Sequence, residues 1–356
     1  MKPTMIIPAA GLSTRYGLAR PKFLLQHPEG RSMLAAGVAE LPGEEFSEAL
    51  VVSLRGFFEG LDADAIGGEI AEALGCPVRL ILLDSPTPSM VATIARGIEE
   101  MDSDAPIVIK DTDNLIAVPD GALPLGENFV TFVSLRDVPH VVAANKSYVQ
   151  LDAQGFITNI VEKRVVSGEF NSGLVGFVRA STFLTAARTL SGASEIFVSD
   201  IIRSALDEGN AFTGVKATTY EDWGTLEDWR AYCRSFSTIF VDVDGVVAIN
   251  EHPHGSGAGG WGRVRPIQEN VDALLGAQAT GRCTLVFTTS RAEEFRDPVA
   301  RALTDLGFDG FQLIMGLPHA GRVLINDFAP TNPYPSARAI NLPRNDATLG
   351  AMLHPQ

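Results

Sequence analysis

At 356 residues, 46% hydrophobic and 20% charged, the chain is long for one domain and has apolar residues enough for two cores. Its formal charge of −15 at pH 7 argues against nucleic acid and anionic membrane as partners, because both select a basic surface. Cys76, Cys233 and Cys283 are scattered without metal spacing or a disulfide framework, and no signal core or membrane-length apolar run is seen, so a cytoplasmic protein is expected.

Short apolar runs alternate with longer amphipathic segments, the pattern of parallel α/β architecture. In chain order, strands are expected at residues 5–8, 49–53, 78–83, 107–109, 130–134 and 174–177, with helices at 33–41, 63–74, 90–101 and 199–207. A second series opens with a strand at 238–241. It continues through a helix at 268–279, a strand at 284–287, a helix at 297–306 and strands at 311–314 and 323–325. Composition shifts at the same place: every lysine lies at or before Lys216, and the last third uses arginine alone. The junction falls near 235–237, giving domains 1–235 and 236–356. The Gly- and His-rich segment 252–262 reads as a loop.

The first strand ends in Ala9-Ala10-Gly11-Leu12-Ser13-Thr14-Arg15, followed by Arg20-Pro21-Lys22. Small residues after a strand let backbone N–H groups approach phosphate oxygens, and Arg15 and Lys22 would supply charge. A strand–turn with scattered basic residues is the plain alternative. Carboxylates follow the apolar run 107–109 in Asp111-Thr112-Asp113-Asn114, where ligands collect in such folds.

Together with Glu162-Lys163, Asn171-Ser172-Gly173 and Asp222-Trp223-Gly224-Thr225, in that order, these segments resemble the sugar-nucleotide pyrophosphorylases over roughly the first 230 residues. The resemblance implies a Rossmann-like, GT-A-type mixed-sheet domain. It implies Mg²⁺ held by Asp113 and Asp222 with Asp111 as a helper, Lys163 with Glu162 on the acceptor phosphate, and Asn171 and Gly173 in a sugar-binding turn. By the same likeness Ala9, Ala10, Gly11, Ser13 and Thr14 would cradle the nucleotide, with Pro88 and Ser89 near the base. Ser13 stands where the family has a second glycine, a variation closer to cytidylyltransferases acting on polyol or alcohol phosphates. CTP, UTP, GTP and dTTP all stay open, with CTP or UTP favoured; the acceptor is a sugar or polyol phosphate.

In the C-terminal third, an apolar strand ends in Asp242-Val243-Asp244-Gly245. Two carboxylates two residues apart suit a nucleophile on phosphorus and an acid for the leaving oxygen. With Thr288-Thr289-Ser290-Arg291 and Asn326-Asp327, the segment resembles the haloacid-dehalogenase phosphatases over about the last 120 residues. That implies a doubly wound Rossmannoid domain without a large cap. Asp242 would be nucleophile, Asp244 acid/base and Thr289 the phosphate-binding hydroxyl, with Asp327 joining Asp242 and Asp244 at a second Mg²⁺. The family's lysine has no counterpart here, and Arg322 is the best substitute. His252 and His254 form a His-x-His pair better read as polar loop than zinc site, and Trp261 is placed to close over the site. Three readings follow: a bifunctional transferase–phosphatase of activated-sugar or activated-polyol synthesis, a transferase with a silent C-terminal scaffold, and a nucleotide-sensing binding protein.

Overall fold

The computed structural model describes residues 1–12, 21–101, 103–138, 141–191, 195–250, 265–327 and 336–353. The chain divides into two compact units, Met1–Trp229 and Arg230–Gln356.

The first unit contains β1 (Thr4–Ala9), α1 (Met33–Val38), β2 (Glu48–Leu54), α2 (Ala63–Leu74), β3 (Val78–Leu83) and α3 (Met90–Glu99). There follow β4 (Ile107–Lys110), β5 (Asn114–Ala117), β6 (Phe129–Ser134), β7 (Ser147–Leu151), β8 (Ile157–Glu162) and β9 (Glu169–Phe177). The unit ends with α4 (Ala180–Thr189), α5 (Val198–Asp207), β10 (Thr213–Lys216), β11 (Thr219–Asp222) and the start of α6 (Leu226–Arg234).

Its main sheet has nine strands, in the order β10-β6-β9-β4-β1-β2-β3, with the β7–β8 ribbon attached through β9. Strands β4, β1, β2 and β3 run parallel, whereas β9 is antiparallel to both β4 and β6. The sheet is therefore mixed. Both faces are covered, which is why β1 reads as an unbroken apolar run rather than an alternating one. Met5, Ile7 and Ala9 join a core with Leu34, Val51 and Leu74, while Ile6 faces a second core with Val52, Ile94 and Phe183.

Local chemistry fixes the helix ends. Asp62 caps α2 by accepting from the Ala65 N–H, and Gly75 closes the same helix at φ +80°. Ser89, expected beside the nucleobase, caps α3 by accepting from the Ala92 N–H at 3.1 Å. α3 lies close on the sheet because Gly97 has no side chain. A Cβ there would stand 2.9 Å from Val52 Cγ2 and 3.0 Å from Ile6 Cγ2.

The second unit holds β12 (Ser237–Asp242), α7 (Gln268–Ala279), β13 (Cys283–Thr288), α8 (Arg296–Asp305), β14 (Gln312–Ile314) and α9 (Leu349–Leu353). Among the described residues its sheet is a three-stranded parallel one in the order β12-β13-β14. Val241, Leu274, Leu285, Phe287, Val299 and Leu303 form its core. Asn270, fully buried, donates to the Val246 and Asp346 carbonyls and accepts from the Leu349 N–H, tying the end of the described chain to the β12 turn.

Two expectations need correcting here. Residues 323–325 are not a strand: Val323 and Ile325 are 85% and 90% exposed, and no ladder bonds hold the segment. Apolar composition makes a strand only when a sheet edge supplies both the hydrogen bonds and the burial. Without that strand the order runs one way from β12, so the described residues form no doubly wound sheet.

Among the described residues no helix is long and apolar enough to cross a membrane. Replacing Gly97 with Val is expected to wedge α3 off the sheet at a cost of about 1–3 kcal/mol. Urea denaturation checks this; wild-type stability in the variant would contradict the close approach.

Candidate functional site

In the first unit the carboxylates after β4 meet those after β11. β5 and β11 pair antiparallel with Asn114 opposite Asp222, and the Trp223 N–H donates to the Asp113 carbonyl at 2.9 Å. Trp223 is fully buried, its ring 5.2 Å from Trp229 and 6.0 Å from His27. This aromatic packing sets the backbone that carries Asp222. A Cβ on Gly224 would lie 3.1 Å from Asp222 Oδ1 and 3.7 Å from Asp113 Oδ2, so both carboxylates border one small space.

Cations line the same space. Lys22 opens a short 3₁₀ turn after Pro21, anchored by buried Phe23, and its ammonium pairs with Asp113. Lys146 Nζ lies 2.7 Å from Asp222 Oδ2 and donates to the Tyr220 hydroxyl at 2.8 Å. Lys110, wholly buried in β4, donates to the Asp111 carbonyl at 2.7 Å, the Asn114 carbonyl at 3.1 Å and the Asn114 side-chain oxygen. Asn114 in turn donates to the Ser172 carbonyl at 2.9 Å.

That bond reaches the turn expected to hold a sugar. Asn171 Oδ1 accepts from the Gly173 N–H, and the Gly173 carbonyl accepts from the Asp111 N–H, both at 2.9 Å. Gly173 has φ +93°, and a Cβ there would stand 2.4 Å from Asn114 Nδ2 and 2.6 Å from Asp111 Oδ2. Only glycine fits. Asp111 thus faces the Asn171–Gly173 turn.

Burial perturbs these groups. It pushes Asp111 up to about 6, helped by Asp113 and opposed by Lys110, Lys146 and Lys22. It pushes Lys110 down to about 8 against the fields of Asp111 and Asp113. For Asp113, burial opposes ionisation, but Lys22, with Lys146 and Lys110, prevails and holds the carboxyl below its ordinary range. Tyr220 is raised by burial and by Asp222, Asp113 and Asp111.

The other sequence-nominated residues divide. Ala9 and Ala10 are buried at the end of β1, with the Ala9 carbonyl accepting from Ser53 Oγ, and Gly11 is exposed. Ser13, Thr14 and Arg15 lie outside the described residues, as do His252, His254 and Trp261. Pro88 is exposed in the loop before α3. Glu162 accepts from Ser147 Oγ and, at 2.7 Å, from Ser199 Oγ, fastening α5 to β8. Lys163 has φ +53°, a backbone uncommon outside glycine, and its ammonium sits 4.1 Å from the centre of the Phe197 ring. Lys110, Lys146 and Tyr220 were not foreseen. The scarcity of lysine, six in 356 residues, was a signal in the sequence that could have singled out Lys110 and Lys146.

Among the described residues no group of three His, Cys, Asp or Glu side chains has metal-binding geometry. The Asp113–Asp222 pair still suits a hard divalent cation that takes its remaining ligands from phosphates and water, as Mg²⁺ does. Asp111, expected as a helper, is not a third member of that pair.

In the second unit, Asp242 ends β12 and Asp244 lies in the turn beyond it. Partial burial and the neighbouring Asp244 raise Asp242, against Arg322, Arg344 and His319. Arg291, almost fully buried, takes both Asp244 oxygens, with Nη2 to Oδ1 at 2.7 Å and Nε to Oδ2 at 3.1 Å. Thr289, fully buried, donates to Asp244 Oδ2 at 2.8 Å, so its hydroxyl serves Asp244 and does not stand open to a phosphate. Arg322 spends Nη1 on the Pro318 and Ala320 carbonyls at 2.9 and 2.7 Å. Asp327 lies in the exposed irregular segment after residue 320. These residues do not fit a Mg²⁺ site: Asp244 is already engaged, and Asp327 completes no cluster with Asp242.

No protein-family model matches the chain, and no curated protein matches it by sequence. Solved structures do match. A nucleoside-diphosphate-sugar pyrophosphorylase from Vibrio cholerae superposes with a TM-score of 0.55 at 16% identity, over 65% of this chain and 99% of that one. About two thirds of the chain shares the fold of that pyrophosphorylase. A UDP-glucose pyrophosphorylase complexed with UDP-glucose gives 0.52 at 17% identity, over 66% of this chain and 98% of its own. The inositol-1-phosphate CTP transferase of T. maritima gives 0.50 at 14%, over 64% and 91%.

Because Asp111 is raised, the folded chain holds its proton more tightly than the unfolded chain. Its contribution to stability therefore falls as pH rises from 3.8 to about 6 and is level above. Asp111→Asn is expected to remove that fall and to raise the unfolding free energy at pH 7 by roughly 1–3 kcal/mol. Urea denaturation of both proteins at pH 4.5, 5.5 and 7 measures the difference; parallel curves would contradict the assigned environment.

Proposed function

We propose that the first unit is a magnesium-dependent nucleotidyltransferase. It moves a nucleotidyl group from a nucleoside triphosphate, CTP or UTP by preference, to the phosphate of a sugar or polyol and releases pyrophosphate. The observation that carries this reading is the convergence of Asp113 and Asp222 on one space, with Lys22 and Lys146 in contact with them. The fold supports it, and the neighbours' substrates, UDP-glucose and inositol 1-phosphate with CTP, supply the substrate classes.

An oxygen of the acceptor phosphate attacks the α-phosphorus, and the bond from that phosphorus to the pyrophosphate oxygen breaks. No protein nucleophile is needed, so the side chains position groups and balance charge. Lys22, next to Asp113, stabilises the charge of the transferring and leaving phosphates, a task shared with Arg15. Lys163 holds the acceptor phosphate, and Asn171 with Gly173 shapes the acceptor turn. Asp113 and Asp222 would hold a Mg²⁺, which would supply further charge neutralisation for the triphosphate.

For the second unit we propose phosphomonoester hydrolysis through Asp242: its carboxylate attacks phosphorus, the bond to the ester oxygen breaks and the alcohol leaves with a proton from Asp244, and water then cleaves the aspartyl-phosphate to inorganic phosphate. A second reading, a catalytically silent scaffold, is favoured by the Arg291–Asp244 clamp, which occupies the acid/base candidate.

Pyrophosphate release is to be measured with Mg²⁺ over four nucleoside triphosphates against sugar and polyol phosphates. One productive pairing is expected, with Asp222→Asn and Lys22→Met each lowering kcat/KM about a hundredfold or more; silence across the panel would refute the transferase. In a parallel free-phosphate assay, hydrolysis lost in Asp242→Asn supports the phosphatase. Hydrolysis absent from the wild type supports the scaffold.

A further inference from the structure

Each carboxylate proposed to hold the divalent cation is in contact with a lysine: Asp113 with Lys22, and Asp222 with Lys146 at 2.7 Å. Lys146 is firmly placed. Its carbonyl accepts from the Lys163 N–H at 2.9 Å, and its side chain is 13% exposed. Its ammonium lies 5.3 Å from the Tyr220 ring centre and 5.7 Å from that of Phe170 while donating to the Tyr220 hydroxyl. With Lys110 beneath them, three ammonium groups face three carboxylates, Asp111, Asp113 and Asp222.

Such a site gives a bare dication little net attraction, and the ion would have to displace an ammonium from its own ligand. A nucleoside triphosphate changes that balance. It brings several negative charges and gives a displaced ammonium a phosphate oxygen as its new partner.

We propose that Lys146 is a placeholder cation for Asp222, which makes divalent-metal binding dependent on nucleotide. The inference rests on the nucleotidyltransferase reading. It assigns Lys146 two partners in turn: Asp222 when nucleotide is absent, and a phosphate oxygen once nucleotide and metal are bound together.

Mn²⁺ is the probe, titrated into the full chain while its free concentration is followed by electron paramagnetic resonance. Wild type is expected to bind free Mn²⁺ weakly and to gain about tenfold or more when CTP or UTP is added. Lys146→Met, which keeps the apolar stem against Phe170 and Tyr220, is expected to bind free Mn²⁺ about tenfold more tightly than wild type, with a smaller nucleotide effect. Lys146→Gln, which can still bond Tyr220, must behave likewise, and Lys146→Arg must stay near wild type. Adding Asp222→Asn to Lys146→Met must abolish the gain, which assigns it to this carboxylate. Unchanged Mn²⁺ affinity in both Lys146→Met and Lys146→Gln overturns the placeholder role, even if wild type makes pyrophosphate. Tighter Mn²⁺ binding in both, with no pyrophosphate from any substrate pair, sinks the transferase reading and leaves the placeholder standing.

Discussion

The candidate site of the first unit depends on one short antiparallel ribbon. β5 and β11 pair over four residues, and the bond from the Trp223 N–H to the Asp113 carbonyl extends the pairing by one step. This alone brings Asp222, late in the unit, against Asp113. A ribbon so short has little intrinsic stability. Its strength comes from the side chains behind it: Trp223, His27 and Trp229 packed as a triangle of rings on one flank, and Tyr220 packed edge-on against Phe170 on the other.

Placing several carboxylates at the end of buried strands is costly unless cations accompany them. The chain supplies those cations from three separate segments: Lys22 from the turn after β1, Lys110 from within β4 and Lys146 from the start of the β7–β8 ribbon. Lys110 does more than compensate charge. By bonding Asn114, it fixes the amide that holds the Ser172 carbonyl, and so couples the carboxylate loop to the Asn171–Gly173 turn. On the proposed nucleotidyltransferase reading, this fixes the spacing between the metal-binding and acceptor-binding segments, as an in-line transfer would require.

Much of this fold was legible in the sequence where burial is two-sided. The strand read at 49–53 falls within β2, which is buried on both faces, and the helix read at 63–74 coincides with α2, since a near-continuous apolar run and a capped amphipathic period leave little choice. β5, β7, β8 and β11 escaped. The first and last are four residues long, and β7 and β8 interleave polar residues such as Gln150 and Asn159, so neither periodicity nor length separates them from loops. The sequence singled out Gly173, Asp113, Asp222 and Lys22 through their Gly, Asp and Lys punctuation, and the structure brings these four into one neighbourhood. Lys110 and Lys146 were marked only by the overall scarcity of lysine, because a lysine inside or beside a strand carries no local mark of burial. Thr289, whose surroundings look like a phosphate-binding turn, donates its hydroxyl to Asp244, a partner that its local sequence does not announce.

The three-stranded sheet of the second unit leaves β12 paired on one side only among the described residues. Phe240 on that strand is 53% exposed, and elsewhere in the same unit Val323, Leu324 and Ile325 are exposed as well. An unpaired, partly apolar edge is a template on which a second polypeptide can add a strand, so this is where unwanted self-association would begin. The charge of −15 carried by every copy opposes that encounter at low ionic strength. Salt screens the repulsion but leaves the edge as sticky as before, which makes dilute, low-salt buffer the safer medium for handling this protein.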